Sequence, residues 1–299
     1  MKNFTKQVTF NLFLALCMTS MLVSCGGENE EEKLIEEEIL DPNSSLNTNF
    51  DGKIFSIPSP VQTSMLIKDA NLPFTESLLN PIENVDLYNN ESKRALNLGI
   101  YGTDLGYATL YNQSAKSIKY LKVVEKLTNG LGLQGAFDKN FMDRFDKNNT
   151  NQDSMVRIVA DAFRKADSYL KNNDRKNTSV LILTGGWIES LYFSCELTKT
   201  TKNEKIIERI GDQQTTLNTI IEILVLYNKN GVNDEILTSL EDLKTTFDLV
   251  TIEYMYVTPK TDAAKKTTTL QHTTKVKIET FVLNLIAKKI SQIRTTITE

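Results

Sequence analysis

The sequence predicts an all-α fold, a single helical bundle of about seven or eight helices. Three observations lead to this prediction. From Glu91 onward, apolar residues recur at steps of three and four over long segments. No proline interrupts those segments, and proline is the residue that a helix interior tolerates least. Two of the segments are apolar on nearly all sides, which is typical of helices at the centre of a bundle.

The first 24 residues have the layout of a secretory signal peptide. Two lysines precede an apolar stretch from Val8 to Val23, which is shorter than the roughly 20 strongly apolar residues of a transmembrane helix. The stretch ends in Leu22-Val23-Ser24-Cys25, which resembles the bacterial lipobox. That resemblance implies cleavage before Cys25 and attachment of lipid chains such as palmitate. The alternative is an ordinary signal peptide followed by a chance cysteine.

An acidic segment follows this cysteine. Residues 28–41 hold eight carboxylates and one lysine, and their mutual repulsion predicts an extended linker. We therefore assign residues 25–60 to lipidated Cys25 and an acidic flexible tether, which ends in an entry loop at residues 42–60. Gly26 resembles the residue that follows the cysteine in lipoproteins of the outer membrane. An outer-membrane location is expected, on either the cell surface or the periplasmic face.

Residues 61–299 are predicted to form the all-α body. One or two short helices are expected between residues 61 and 88, where prolines separate short apolar pieces. Longer helices are predicted from apolar stripes in the segments 153–171, 204–227, 235–254 and 278–297. Two more, residues 95–113 and 180–197, are apolar on nearly all sides. The stretch "SVLILTGG" also permits a strand. Because no other stretch offers it a partner strand, the all-helical interpretation is preferred.

The two central segments, residues 95–113 and 180–197, contain glycines inside their helical pattern. These are Gly99, Gly102, Gly106, Gly185 and Gly186. Each interior glycine costs a helix roughly 1 kcal/mol relative to alanine, so a compensating contact is expected. The preferred interpretation is close approach of another helix backbone. The alternative is a glycine cradle for a ligand phosphate, but such loops precede helices.

Polar and aromatic residues on these two segments form the candidate binding site: Tyr101, Asp104, Tyr107, Trp187 and Glu189. Helical spacing places Asp104 on one face with the two tyrosines. A carboxylate in apolar surroundings must be hydrogen-bonded or neutral, because burying an isolated charge is costly. The expected partners are tyrosine hydroxyls and one of three arginines: Arg94, Arg157 or Arg164.

Three roles are open for these carboxyl groups. They form a buried polar network that fixes helix register, they bind a sugar or hydrophobic ligand, or they perform acid–base catalysis as in glycoside hydrolysis. The network interpretation is preferred. It is compatible with a lipid-anchored, non-catalytic helical binding or scaffold module. The alternative function is a hydrolase-like enzyme that uses Asp104 and Glu189.

The composition argues against several classes of site. Residues 42–299 hold 31 basic and 30 acidic side chains, so no basic patch for nucleic acid is indicated. Once Cys17 leaves with the signal peptide and Cys25 is lipidated, Cys195 stands alone and a buried, inert thiol is expected. His272 is the only histidine, which argues against Ser-His-Asp, Cys-His and histidine–zinc chemistry. We predict no metal site and no cofactor.

The stretch "NLGIYGTDLGYA", residues 97–108, resembles a signature of helical lipoproteins of Gram-negative bacteria. The stretches "YLKVVEKLTNGLGL" and "GGWIESLYF" resemble later parts of the same pattern, so the resemblance covers residues 95–230. It implies a lipid-anchored envelope protein and carries no activity. The membrane is the first expected partner. A looser similarity to helical lipoproteins that capture glycans or peptides implies an envelope protein, a peptide or a glycan as further partners.

Overall fold

The computed structural model of the 299-residue chain describes residues 46–57, 60–135, 139–148, 151–270 and 273–299. These residues belong to one compact unit. They form an all-α helical bundle, as predicted, although the described ranges hold nine α-helices rather than seven or eight. Three small two-stranded sheets accompany the helices. No helix in the described ranges has both the length and the apolarity needed to cross a membrane.

The helices are α1 (Pro60–Asp69), α2 (Glu91–Leu110), α3 (Ser114–Gly130), α4 (Lys139–Lys147), α5 (Gln152–Asn172), α6 (Lys176–Thr198), α7 (Glu204–Leu226), α8 (Asp234–Phe247) and α9 (Thr280–Thr298). The strands are β1 (Leu46–Phe50), β2 (Lys53–Ile57), β3 (Thr251–Met255), β4 (Lys260–Asp262), β5 (Thr267–Thr269) and β6 (Thr273–Lys277). Between α1 and α2, the chain makes two short 3₁₀ helices, Glu76–Leu78 and Ile82–Leu87.

Asparagine side chains cap the starts of α2, α5 and α7. The Oδ1 atoms of Asn90, Asn151 and Asn203 each accept the backbone N–H of the residue three positions further on. Each bond satisfies an N–H group that the first turn of a helix leaves without a partner. Asn151 and Asn203 stand where the sequence predicts helix starts. Asn233 begins α8, but its side-chain amide instead donates to the Leu224 carbonyl at 3.0 Å.

Helices α2 and α6 make the most extensive helix–helix contact of the described residues. A Cβ atom added at Gly99 would stand 2.0 Å from the carbonyl oxygen of Ile182. One added at Gly185 would stand 1.9 Å from the carbonyl oxygen of Leu96. Both distances are far shorter than a van der Waals contact, so the two backbones touch. The predicted packing role of these glycines is confirmed.

The remaining helices surround this central pair. Helices α1, α5 and α9 contact both α2 and α6, while α3 packs on α2 and α7 packs on α6. Helix α8 lies against α7 and α9, and α4 lies against α5. As a result, side chains that α2 and α6 turn toward each other or toward α9 are enclosed on every side. Polar groups at these positions need partners from within the protein.

The predicted helix at residues 235–254 is wrong beyond Phe247, where α8 ends. Strand β3 follows and pairs antiparallel with β6, although the sequence indicated no partner strands. The apolar stripe predicted a helix that was too long, because the buried part of the stripe ends at Val250. Tyr254, the next residue of the stripe, is 59% exposed. β-Branched and aromatic residues in this region pair across two strands instead.

A β-hairpin occupies residues 46–57, where the sequence analysis placed an entry loop. Strands β1 and β2 pair antiparallel around Asp51 and Gly52, which have φ angles of 51° and 82°. Asp-Gly is a preferred pair for the tight hairpin turn in which both central residues have positive φ. The entry-loop prediction is therefore wrong for these residues. The signal peptide, Cys25 and the acidic segment lie outside the described residues.

The tip of this hairpin is bound to the helical body. The carboxylate of Asp51 accepts a hydrogen bond from the Tyr227 hydroxyl at 2.7 Å and pairs with Lys176. Phe50 is fully buried, and its ring packs at a tilt against the ring of Tyr227, with centroids 5.9 Å apart. The folded part of the chain thus begins before the predicted body boundary at residue 61.

Replacing Gly185 with alanine is expected to destabilise the fold. The new Cβ atom would collide with the Leu96 carbonyl oxygen at 1.9 Å, so α2 and α6 must move apart. Overpacking of this kind costs about 1–3 kcal/mol. The free energy of unfolding, measured by denaturant titration and circular dichroism, tests this expectation. Gly135→Ala is the matched control, because nothing lies within 4 Å of its Cβ position. Equal stability of the two variants would contradict the backbone contact.

Candidate functional site

Asp104 on α2 and Glu189 on α6 meet one turn beyond the glycine contact. Glu189 lies one helical turn after Gly185, and Asp104 lies five residues after Gly99. Because the two backbones touch at the glycines, the side chains that follow on the facing sides are held together. The two carboxyl groups share a hydrogen bond, and both side chains are completely buried.

An arginine from a third helix neutralises this carboxyl pair. Arg294 on α9 donates from Nε to Glu189 Oε2 at 2.6 Å and from Nη2 to Glu189 Oε1 at 2.8 Å. This two-pronged geometry matches the planar guanidinium to the carboxylate. Nη2 also donates to the Leu78 carbonyl at 3.1 Å. The guanidinium lies over the ring of Tyr192, 4.3 Å from its centroid.

Asp104 completes the group as a neutral carboxylic acid. Its Oδ2 accepts the backbone N–H of Asn80 at 3.2 Å, whereas no donor group within the described residues reaches its Oδ1. Burial raises the pKa of Asp104 well above its ordinary value, and the neighbouring charge of Glu189 raises this pKa further. A protonated Oδ1 can donate to the Glu189 carboxylate, which satisfies the oxygen that otherwise lacks a partner.

The charges within the group then cancel. Burial raises the pKa of Glu189, but the charge and hydrogen bonds of Arg294 oppose this shift. Burial lowers the pKa of Arg294, but the Glu189 carboxylate outweighs burial, so the guanidinium pKa is raised. One carboxylate and one guanidinium form an ion pair, and the second carboxyl keeps its proton. We refer to Asp104, Glu189 and Arg294 as the buried triad.

Asn80, between the two 3₁₀ helices, links the buried triad to tyrosines around it. Its backbone N–H donates to Asp104, and its carbonyl accepts the Tyr120 hydroxyl at 2.8 Å. Its side-chain amide donates to the Tyr88 hydroxyl at 3.1 Å. Tyr88 in turn donates to the Thr298 carbonyl in the last turn of α9, at 3.2 Å. The network therefore joins α2, α3, α9 and the segment between α1 and α2.

The five predicted binding residues are all buried, with at most 3% exposure: Tyr101, Asp104, Tyr107, Trp187 and Glu189. The structure brings Asp104, Glu189 and Tyr101 together. The Tyr101 ring lies against that of Tyr88, with centroids 6.3 Å apart, and Tyr88 is linked to Asp104 through Asn80. The Tyr101 hydroxyl donates to the Pro81 carbonyl at 2.6 Å. Burial raises the pKa of Tyr101, so its phenol is neutral. These residues form part of the closed interior.

Tyr107 and Trp187 make separate contacts. The Tyr107 hydroxyl accepts the backbone N–H of Thr75 at 3.1 Å, and its ring stacks on Phe74 with centroids 5.2 Å apart. The indole N–H of Trp187 donates to the side chain of Gln213 on α7 at 2.9 Å. Each polar atom is used in holding a neighbouring segment in place.

The charge partner is Arg294 and none of the three arginines predicted from the sequence, so that prediction is wrong. Arg94 donates to the Tyr88 carbonyl at 3.0 Å, and Arg164 pairs with Asp161 on the surface of α5 at 2.7 Å. One signal for Arg294 exists in the sequence. It stands four residues after Ile290, within the apolar stripe of α9, and a charge on a buried helix face requires a partner.

Cys195 is buried and free of disulfide bonding. Burial raises the pKa of its thiol, which keeps the sulfur protonated and a poor nucleophile. The predicted burial of this cysteine is therefore confirmed, and a low reactivity of its thiol stays a prediction. His272 lies outside the described residues.

Arg294→Met is expected to destabilise the protein by about 3–5 kcal/mol, because it leaves the Glu189 carboxylate buried without its cation. The double variant Glu189→Met/Arg294→Met should recover a large part of this loss, since no isolated charge remains. A double-mutant cycle of unfolding free energies measures the coupling. Arg164→Met is the control, because surface ion pairs contribute about 0–1 kcal/mol. A loss for Arg294→Met no larger than the control loss would exclude the ion pair.

Asp104→Asn tests the protonation state, because the amide imitates a protonated carboxyl group. A carboxyl group whose pKa is higher in the folded state than in the unfolded state stabilises the fold at low pH. This contribution is lost as the pH rises from the unfolded-state pKa toward the folded-state pKa. As the pH rises above the ordinary titration range of a carboxyl group, the natural protein should therefore lose unfolding free energy relative to the variant. The slope should reach up to about 1.4 kcal/mol per pH unit. Denaturant titrations across this range provide the measurement.

Asp161→Asn is the control for this experiment. Burial raises the pKa of Asp161, but hydrogen bonds from Lys165 and Arg164 outweigh burial, so its pKa is lowered. Its titration therefore lies below the tested range, and the variant should keep the pH slope of the natural protein. Parallel curves for Asp104→Asn and the natural protein would mean that Asp104 is ionised near neutral pH, contrary to the assignment.

No protein-family model matches the chain, and neither a curated protein nor a solved structure shows a significant similarity to it. No characterised protein therefore supplies a role for the buried triad. A fold of packed helices is compatible with many activities. Function must be argued from the geometry and chemistry of the residues themselves.

Proposed function

We propose that the protein is a lipid-anchored protein of the bacterial cell envelope whose helical body is a non-catalytic binding or scaffold module. The observation that carries the non-catalytic part is the state of the two candidate carboxyl groups. Asp104 and Glu189 are fully buried, bonded to each other and neutralised by Arg294. Carboxyl groups held in this way stabilise helix packing and are closed off from solvent.

The alternative, a hydrolase-like enzyme using Asp104 and Glu189, fits this geometry poorly. The carboxyl groups of glycosidases stand about 5–5.5 Å apart in retaining enzymes and about 6.5–9.5 Å apart in inverting ones. That separation leaves space for the scissile bond or a water molecule. Here the two carboxyl groups are in hydrogen-bond contact. Catalysis would require α2 and α6 to separate, against the backbone contact at their glycines.

The anchor part of the proposal rests on the sequence. A charged start, an apolar segment and the lipobox-like Leu22-Val23-Ser24-Cys25 occur together. Each buried CH₂ group contributes about 0.8 kcal/mol, and a single acyl chain binds only reversibly. Stable anchoring therefore requires two or more chains at Cys25. Gly26 supports the outer membrane, with the body on the cell surface or the periplasmic face.

The partner classes proposed besides the membrane are an envelope protein, a peptide and a glycan. A body whose central helices are locked by backbone contact and by the buried triad has little conformational freedom to lose on binding. Pre-organisation of this kind improves affinity, because less ordering accompanies complex formation. The rigid interior thus supports a role in which the outer surfaces make the functional contacts.

Cys25→Ala is expected to abolish acylation and to release the protein from the outer-membrane fraction, because the thiol that accepts the lipid is lost. Metabolic labelling with an acyl-chain probe measures the first effect, and fractionation measures the second. In-cell cross-linking of the tagged protein adds a test of the binding role. A partner cross-linked to the natural protein should be reduced at least about tenfold in the variant, since anchoring raises the effective concentration.

Cys195→Ala is the matched control for this experiment, because Cys195 is buried. This variant should keep the label and the fractionation of the natural protein. An acyl label that persists in Cys25→Ala would refute the lipobox assignment. Repeated absence of any cross-linked envelope component would count against the binding role. Loss of a hydrolytic activity in well-folded Asp104→Asn protein would favour the enzyme instead.

A further inference from the structure

Strands β3 to β6 build a two-stranded arm (residues 251–277, described at 251–270 and 273–277) whose root packs on the body. There Ile252 and Val276 are paired across the strands and partly buried against the core. Val276 fits closely on α7 because residue 211 is a glycine. A Cβ atom at Gly211 would stand 2.1 Å from Val276 Cγ1. The root is thus held in a fixed position on the body.

Beyond its root the arm lies in solvent on both faces. From residue 253 to residue 270, every side chain except Pro259 is exposed. Five of these side chains are large and apolar or aromatic: Tyr256 at 68% exposure, Leu270 at 65%, Tyr254 at 59%, Met255 at 55% and Val257 at 43%. Single exposed apolar residues are ordinary, but a group of them marks a contact surface. A two-stranded ribbon is also only marginally stable alone in water.

The arm differs in charge from the rest of the protein. Residues 251–277 carry five lysines and two carboxylates, whereas the whole chain has a formal charge of −4. The two carboxylates are paired within the arm, Glu253 with Lys277 and Asp262 with Lys265 at 4.0 Å, which leaves three lysines in excess. The arm therefore combines an excess of positive charge with exposed apolar and aromatic side chains, on a protein that is otherwise acidic.

We infer that this arm docks on the surface of a lipid bilayer that contains anionic headgroups. Lysine side chains attract such a surface, and each contributes a favourable electrostatic interaction near it. Tyrosine places its ring in the apolar boundary and its hydroxyl in the headgroup layer. Met255, Val257 and Leu270 supply the apolar area that leaves water. The arm therefore has both the positive charge that anionic headgroups attract and the apolar and aromatic side chains that the membrane interface accepts.

The strand edges limit how deeply the arm enters. A two-stranded ribbon has a row of unpaired backbone N–H and C=O groups along each outer edge. Hydrocarbon offers these groups no partner, so an open edge is excluded from the bilayer core. The headgroup layer retains water and polar atoms. The arm therefore lies in the interface with its tyrosines at headgroup depth and does not span the membrane.

Other occupants fit the arm less well. A second arm would bring like charges together, and outside the arm residues 42–299 hold 26 basic and 28 acidic side chains, too even a balance to attract it. The acidic residues 28–41 of a second copy complement the lysines, but their eight carboxylates would lose hydration against the arm's apolar side chains. Nucleic acid would complement the lysines and tyrosines but leaves Met255, Val257 and Leu270 without an apolar partner. The inference goes beyond the proposed function, because it depends on residues 251–277 and is independent of Cys25.

A tryptophan placed on the arm tests this docking directly. The chain has one tryptophan, Trp187, which is 3% exposed, so a second one reports its own surroundings. In full-length chains that also carry Cys25→Ala, Tyr256→Trp is compared with Tyr169→Trp, an exposed tyrosine on α5. Vesicles contain brominated phosphatidylcholine with or without phosphatidylglycerol. Emission from Tyr256→Trp should be quenched at least about twofold more strongly than that from Tyr169→Trp on anionic vesicles.

A second set of variants tests the electrostatic contribution to docking. Replacing Lys260, Lys265, Lys266 and Lys275 with glutamine, or raising the salt concentration, should remove most of the quenching, because salt screens exposed charges. Leu270→Trp repeats the test at a second arm position and covers the case in which Tyr256→Trp disturbs folding. Equal quenching of arm and control tryptophans would overturn the inference. So would equal quenching on vesicles without anionic lipid. An emission shift that depends on protein concentration, without vesicles, would assign the arm to a second copy.

Discussion

A charged carboxylate enclosed between two helices whose backbones touch is the constraint on which the rest of this structure depends. Without its cation, the buried Glu189 charge would cost about 3–5 kcal/mol, a large share of the net stability of a typical domain. Two adjustments remove that cost. Arg294 supplies the opposite charge in a two-pronged contact, and Asp104 keeps its proton instead of adding a second negative charge. Each adjustment fixes the position of a different part of the chain.

The position of α9 follows from the first adjustment. Arg294 directs this helix toward α6, and polar side chains then satisfy the carbonyl groups of its last turn. The Asn97 amide donates to the Ile297 carbonyl at 2.9 Å, and Tyr88 and Asn84 donate to the Thr298 carbonyl. Carbonyl groups at a helix end have no partner within the helix. The last helix is therefore bound to the bundle by an ion pair at one turn and by hydrogen bonds at the next.

The second adjustment positions the chain between α1 and α2. Asn80 is fully buried and makes bonds to Asp104, Tyr88 and Tyr120. A segment of short 3₁₀ helices has few backbone bonds of its own, so these contacts decide its path. The tyrosine hydroxyls remain neutral, because burial raises the pKa of Tyr120 and Tyr101. A polar network with nearly every group satisfied favours one packing over its alternatives.

Local pattern was sufficient for most of the helices, and for the two central ones in particular, although α3 and α4 were not assigned as separate segments. The stripes of α5, α7 and α9 and the interior glycines Gly99 and Gly185 are short-range signals, and the structure agrees with them. The partner of Glu189 could not be found in this way, because Arg294 is 105 residues away in the chain. Choosing it over Arg94 or Arg164 requires knowing which helix packs on α6. The arm was missed because a helical stripe continues from α8 into β3, where only burial reveals the change.

The contrast between the closed interior and the exposed arm indicates where function is to be sought. All five residues that the sequence predicts for binding instead pack and form hydrogen bonds inside the protein. Side chains enclosed in this way can reach a ligand only if the bundle opens. The arm presents the reverse situation, since its apolar side chains and lysines face solvent while its root is clamped on Gly211. Rigid scaffolds with functional segments at the surface are common among proteins. In this protein the buried triad provides the rigidity that such a segment requires.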